Sequence, residues 1–538
     1  MTSPGRFERG AAAALLATAL VAGLGGCDKR AFTPAAATGS TSTTPAAPAS
    51  AQAFTILAGS ELKDLEPALV QAGRDAGVQV KLSYAGTLDI VERINAGDTY
   101  DAILPPNGAY PALALTRKPL ARDKLFYSRV ALGVKPAKLK ELGWDRQAPS
   151  WADIAKAASA GKLRYAMTNP ASSNTGMSAL FAVASASAGK SEDLAVADVN
   201  DKTLKAFLSG QKLTAGSSGW LADAFVKDPA PLDAMVNYEA VILRSNDKLA
   251  PADKLTLVYP RDGMISADYP LMLLNADKRA EDSALVAAIK AAPFQRDALS
   301  AAFIRPSNPD VAASPALPSA AAAELSFPNK LEVIDAVLSA YQAQWRRPST
   351  SIFVLDISGS MKGERIEAMR EALKVLSGAD ASTASARYAA FQQREHVVLI
   401  AFDNKVEPPV WIRFDQGDVA AAQAQLRARA DALEARGGTA IFSAVATAEE
   451  VARDELQDHP DRFVSIVLLT DGASNSGMSL DKFRELYASG APARVFPILF
   501  GEGQVADMTA LAQATGGRQF DGRSARLALV FKEIRGYQ

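Results

Sequence analysis

The sequence predicts an α/β protein made of two parallel-sheet domains joined by a proline-rich break. Strand-like and helix-like segments alternate from Phe54 to Asn107. A second alternating region opens at Ser351, where Ile352 to Leu355 is apolar throughout, as a strand buried on both faces reads. Between the two lies RPSNPDVAASPALPSAAAAELSFP, a Pro/Ala/Ser stretch with little to bury. The 538 residues are too many for one core. With 48% hydrophobic and 22% charged residues the composition is that of soluble globular protein, and a net charge of −1 offers no basic field for nucleic acid.

Arg6 and Arg9 precede AAAALLATALVAGLG, an apolar run with the length of a secretory h-region and too short to span a bilayer comfortably. It ends in Leu24-Gly25-Gly26-Cys27, which resembles a bacterial lipobox. That resemblance implies removal of residues 1–26, lipidation of Cys27 and a chain held on the outer side of a cell membrane, facing periplasm or exterior. Asp28 resembles an inner-membrane retention signal of Gram-negative bacteria. Cys27 is the only cysteine, which excludes internal disulfides. Residues 27–52 are mostly Ala, Thr, Ser and Pro and read as a flexible tether.

The first domain spans residues 53–305. Phe54 to Ser60 reads as a strand, ELKDLEPALVQAGRDAG as a helix with Leu62, Leu65, Leu69 and Val70 on one side, and VQVKLSYAG as the second strand. A helix over Leu88 to Ile94 and a strand in TYDAILPPN follow. Farther on, KLRYAMTNPASSNTGMSALFAV places Ser172, Ser173, Asn174, Thr175 and Gly176 before a helix, and Asn237 to Val241 and Leu255 to Gly263 supply later segments. This order, with small residues at the strand ends, resembles a type II periplasmic solute-binding protein. The resemblance implies two lobes that close like a hinge on a small polar or anionic solute, with Ser60, Thr87, Ser173 and Tyr238 facing the cleft. Residues 306–348 form the break and a helix, LEVIDAVLSAYQAQW, with Leu331, Ile334, Val337, Leu338 and Tyr341 on one side.

The second domain spans residues 349–538. Its first strand runs into Asp356-x-Ser358-x-Ser360, a carboxylate and two hydroxyls on a loop at a strand's carboxyl end, which are hard oxygen ligands for a cation. The buried-strand pattern repeats in FVSIVLL and ends at Thr470-Asp471-Gly472, while Gly437-Gly438-Thr439 opens the apolar helix AIFSAVATAEEVA. ERIEAMREALKVLS, HVVLIAF, DVAAAQAQLRARADALEA, LDKFRELYA, ARVFPILFG, DMTALAQATGG and LALVFKEIRG complete the alternation, and Pro408 and Pro409 mark VEPPVWIRF as an edge strand. Asp356, Ser358, Ser360, Thr439 and Asp471 together resemble the metal-ion-dependent adhesion site of the von Willebrand factor type A family. That implies a doubly wound, Rossmann-like sheet and one Mg²⁺ or Mn²⁺ at these five residues. With only two carboxylates beside it, the ion stays electrophilic, and a partner's Asp or Glu completes its shell.

His396 begins a buried strand and His459 lies in a polar loop, so neither is placed as a general base, and a phosphate-binding Gly-rich loop is missing from the sequence. The chain reads as a binding protein and not an enzyme: a lipid-anchored, solute-binding-like module coupled to a metal-dependent protein-binding domain. The alternative is the receptor of an ABC-type importer whose type A domain regulates it. A chelatase-like subunit shares the metal fold, but the secretion signal counts against it.

Overall fold

The computed structural model describes residues 52–319, 322–379, 384–499, 501, 505–523 and 527–537. Cys27 and the expected signal segment lie outside the described residues, as does the tether up to residue 51. No described helix is long and apolar enough to cross a membrane.

In the first lobe, β1 (Phe54–Gly59) pairs in parallel with β2 (Val80–Ala85) and β3 (Ala102–Leu104). Two chain crossings, β4 (Ala121–Lys124) and the long β5 (Phe126–Val134), lead to the second lobe, which holds β6 (Tyr165–Met167), β7 (Gln211–Leu213) and β8 (Ala234–Tyr238). The short β9 (Thr256–Val258), β10 (Ser266–Ala267) and β12 (Arg305–Pro306) pair antiparallel to β5, and β11 (Pro270–Leu273) returns to the first sheet between β3 and β4. The sheet orders are therefore β2-β1-β3-β11-β4 and β10-β5-β8-β6-β7.

Local chemistry moves some expected boundaries. The helix expected from Glu61 onward divides into a 3₁₀ segment, Ser60–Leu65, and an α-helix, Glu66–Asp75. Pro67 lacks the N–H that a continuous helix needs and instead occupies the first α-helical turn. The Pro/Ala break is no free spacer, since Leu325 N–H donates to Met264 O at 2.8 Å and Ser326 N–H to Ser191 O at 2.8 Å. The helix Leu331–Ala340 buries Val333, Ile334, Val337 and Leu338 in the first module's core, while Leu331 is only half-buried.

The second domain has one sheet, β15-β14-β13-β16-β17-β18, formed by β13 (Ser349–Asp356), β14 (Glu395–Phe402), β15 (Val410–Arg413), β16 (Phe463–Thr470), β17 (Arg494–Leu499) and β18 (Phe520–Asp521). β13 is central and parallel to both neighbours, with Ser349 opposite Glu395 and Phe463. Phe353 and Leu355 pack into one core and Ile352 and Val354 into another, which is why the strand shows no polar alternation. β15, just after Pro408 and Pro409, is the antiparallel edge. Arg347, two residues before β13, donates to Gln211 O of the first module at 3.5 Å. β13 thus starts beside that module, and its other end, Asp356, lies about 23 Å farther along.

Candidate metal site and solute cleft

At the carboxyl edge of the second domain's sheet, four of the five expected side chains form one hydrogen-bonded group. Asp356 is fully buried; its Oδ1 accepts from the Ser358 N–H at 2.8 Å and its Oδ2 from the Thr470 hydroxyl at 2.7 Å. Burial raises the Asp356 pKa; the hydrogen bonds from Ser358 and Thr470 oppose the rise and the Asp471 charge adds to it. The Ser358 and Ser360 hydroxyls lie 3.0 Å apart, and Ser360 Oγ donates to Asp471 Oδ1 at 2.8 Å. Asp471 is held from behind, because a Cβ at Gly501 would come within 2.2 Å of its carbonyl oxygen.

Thr439 joins from the neighbouring loop. Gly359 N–H donates to Gly437 O at 3.1 Å, and Gly437 turns the chain with φ +71°. Asn475 then clamps Thr439, accepting its N–H at 2.8 Å and donating to its carbonyl at 2.9 Å. With its backbone thus fixed, the Thr439 hydroxyl makes no hydrogen bond among the described residues. Asn475 and Thr470, which orient Thr439 and Asp356, were not singled out by the sequence, and neither was Arg365. The Arg365 guanidinium pairs with Asp471 and donates to Ser360 O at 3.3 Å, so a cationic side chain already answers the acidic edge.

These residues fit a hard divalent cation. They offer three hydroxyls, one of them unpartnered, and two carboxylates, of which Asp356 has both oxygens committed within the protein. A cation here would be bound largely by hydroxyls, with Asp356 orienting its neighbours. No group of three or more His, Cys, Asp or Glu side chains placed for a metal occurs among the described residues, so this hydroxyl-rich set is the candidate. His396 is enclosed instead by Glu455 at 2.8 Å and Asp415 at 2.9 Å, in a buried structural network.

In the first module, Thr87 starts the helix Thr87–Asn95, Ser173 directly precedes the helix Asn174–Ala188, and Tyr238 ends β8. All three are buried at the seam between lobes, whereas Ser60 is half-buried at the rim of a cavity of about 110 Å³. Tyr238 Oη accepts from Asn174 Nδ2 at 2.9 Å, and Ser173 Oγ lies 3.5 Å from Ser218 Oγ. The lobes are shut: a Cβ at Gly86 of the first would meet Ser172 O of the second at 2.4 Å. The cavity is well below the roughly 300 Å³ at which small-molecule pockets begin.

The seam nonetheless holds orphaned polar atoms: Glu61 Oε1, Thr87 Oγ1, Asn174 Oδ1 and Ser217 Oγ are buried without a hydrogen-bond partner. Burial raises the Glu61 carboxyl to about 7, against the opposing pull of its own backbone N–H and of Arg244. Asn174 belongs to the helix start singled out in the sequence, whereas Glu61 and Ser217 were not expected at the cleft. Their sequence signal is small, since a Glu after a strand-end Gly-Ser looks like any first-turn residue.

Comparison with known proteins divides the chain in the same place. Residues 54–296 match the family described as bacterial extracellular solute-binding protein, and residues 351–473 match the von Willebrand factor type A domain. Both are families mainly of binding modules, and the first works outside the cytoplasm. Curated proteins give no match. Among solved structures, the chain is similar to a von Willebrand factor type A protein from Catenulispora acidiphila, with 22% identity and a TM-score of 0.29. That match covers 36% of this chain and 42% of the other, so this chain spans less than half of its relative's length. It is also similar to the periplasmic binding protein AfuA from Actinobacillus pleuropneumoniae, described with fructose-6-phosphate bound, at 14% identity over 54% of this chain and 97% of that one (TM-score 0.42). A ferric binding protein from Campylobacter jejuni aligns at 12% identity over 53% of this chain and 96% of its own (TM-score 0.42).

Proposed function

Starting from a chain that joins a solute-binding module to a type A domain, we propose an extracytoplasmic binding protein, lipid-anchored at Cys27, that grips a protein partner through a divalent cation. Ser358, Ser360 and Thr439 hold a Mg²⁺ or Mn²⁺, Asp356 and Asp471 orient the set, and a carboxylate of the partner completes the shell. The observation that carries this reading is the continuous Asp356–Ser358–Ser360–Asp471 group, with the clamped Thr439 beside it, at the sheet edge remote from the first module. Asp356 takes its place through two hydrogen bonds, so its loss should release the Ser358 loop and leave the strand core intact.

Isothermal titration of Mg²⁺ and Mn²⁺ into the full chain and its Asp356→Ala variant tests the proposal. Binding is expected in the parent and lost in the variant; equal titrations in both would overturn it. A second reading, the receptor of an ABC-type importer, draws on the four orphaned polar atoms in the seam, which a small polar solute would satisfy. Relatives described as carrying fructose-6-phosphate or iron make such a solute the natural first screen.

A further inference from the structure

The rim of the solute cleft is already in contact with a ligand-like group, and that group belongs to the other domain. Asn169 and Thr214 follow β6 and β7, at the carboxyl ends of strands where open α/β sheets gather ligands. Asn169 Nδ2 donates to the carbonyl of Arg535 at 3.4 Å, and the Thr214 hydroxyl to the carbonyl of Gly536 at 3.3 Å. Both carbonyls lie at the end of the last helix, Leu527–Arg535, where helix carbonyls lack internal partners. The approach is close enough to need glycine at 536, because a Cβ there would stand 2.3 Å from Gly216 Cα, and a Cβ at Gly216 would come within 3.0 Å of Glu533 O. Tyr537 stacks on Trp220 with ring centroids 6.4 Å apart and planes 19° apart, and Arg518 lies over the same indole at 3.9 Å.

The turn is fastened from within its own domain. Buried Glu395, the first residue of β14, pairs with Arg535 at 2.6 Å and with Arg346 of the linker at 2.8 Å. The same domain also reaches the other lobe: the helix Ala384–Ala389 packs on the helix Thr87–Asn95, and Tyr388 joins the first module's core. One domain therefore rests on both lobes across their seam, and hinge opening would have to break one of the two contacts or bend that domain.

We propose that the C-terminal turn Glu533–Tyr537 is the resident occupant of the cleft's second-lobe rim, and that the type A domain clamps the two lobes shut until it is displaced. The recognised group is a pair of peptide carbonyls. Solute entry and domain docking then exclude one another. The inference rests on residues 54–296 being a two-lobed module and is independent of whether the remote edge binds metal.

Hydrogen exchange followed by mass spectrometry on the full chain tests it, with Gly536→Val as the perturbation. Exchange is expected to quicken on the order of tenfold, as two lost hydrogen bonds imply, in residues 530–537 and in the seam segments 59–65, 86–91 and 169–178. Residues 356–361 and 470–476 at the candidate metal edge should keep parent protection. Release of 530–537 with an unchanged seam would overturn the clamp, and no change in either would overturn the seating of the turn. Thr214→Val removes one donor at nearly constant volume and should move the same segments less. If Gly536→Val fails to fold, an unaltered Thr214→Val pattern overturns the proposal on its own. Mg²⁺ titration of both variants should match the parent, so failure of the clamp and failure of the metal site are read separately.

Discussion

Replacing Glu61 by Gln should make the protein more stable at pH 8 and leave it nearly unchanged at pH 5. Glu61 is buried at the closed seam, its Oε1 is unpartnered, and Arg244 spends its hydrogen bonds on the Glu61 carbonyl, the Asp64 carboxylate and Ala302 O. Burial therefore dominates and carries the carboxyl from 4.5 to about 7. The sign follows from linkage. Between these values the folded state binds the proton more tightly than the unfolded state, so stability falls as pH rises through the window. A shift of this size corresponds to roughly 3 kcal/mol once the group is fully ionised. Gln keeps the shape and has no charge to lose. For a module of this size that difference corresponds to a melting temperature raised by about 5–10 °C at pH 8. The assay is thermal unfolding of the full chain and Glu61→Gln at both pH values. Buried Glu449, carried to about 8 with burial as the chief cause, adds the same trend to both proteins and cancels in the comparison. A difference between the two proteins that does not change with pH would refute the argument.

The remaining predictions concern the second domain. Arg365→Gln removes the side chain that pairs with Asp471 in the absence of metal, so Mg²⁺ should bind up to about fivefold more tightly, the limit for a partly exposed ion pair; weaker binding by titration would count against competition. Glu395→Gln leaves Arg346 and Arg535 buried without their carboxylate and should cost about 3–5 kcal/mol in denaturant unfolding. Burial raises the Glu395 pKa, but Arg346 and Arg535 outweigh it and hold the group at about 2. The stabilisation is therefore whole above pH 4.5 and lost as pH falls toward 2; acid unfolding should begin at higher pH in any variant lacking either arginine.

What the sequence made legible follows the range of the physics. The β13 strand and its Asp356 loop were readable because two-sided burial imposes an unbroken apolar run and the hydroxyls sit two residues apart on one loop. Thr439 and Asp471 were readable because each ends or begins a strongly patterned segment. Asn475 was not, since its clamp on Thr439 spans 36 residues without a local pattern. Pro67 could have placed the 3₁₀-to-α break, because a proline fits the first turn of a helix and not its middle. The contact of Asn169 with Arg535 joins residues 366 apart and involves a backbone carbonyl, which every residue has. Tyr238 and Thr87 were expected to face solute; both are buried in the shut seam, and the packing of one lobe on the other has no local pattern in the sequence.

The two ends of β13 meet different neighbours. Its start stands beside Glu395 and the arginines that seat the C-terminal turn, and its end carries Asp356. Under the proposed function, a contact made only at Asp356 lies about 23 Å along the strand from the first module, so coupling between the two would pass through an element with two positions. The helix Leu527–Arg535 links the two: Leu527, Phe531 and Ile534 share a core with Phe353 and Leu355, while Arg535 and Gly536 end at the cleft rim. Tight binding at the edge is not enough, because a ligand with equal affinity for the seated and released turn shifts nothing. A partner that opens the solute module must also favour the released position, and the surface through which it can do so is the one the type A domain now shares with the helix Thr87–Asn95 and Trp220. Under the proposal, a partner that holds the seated and released turn equally leaves the cleft shut however tightly it binds.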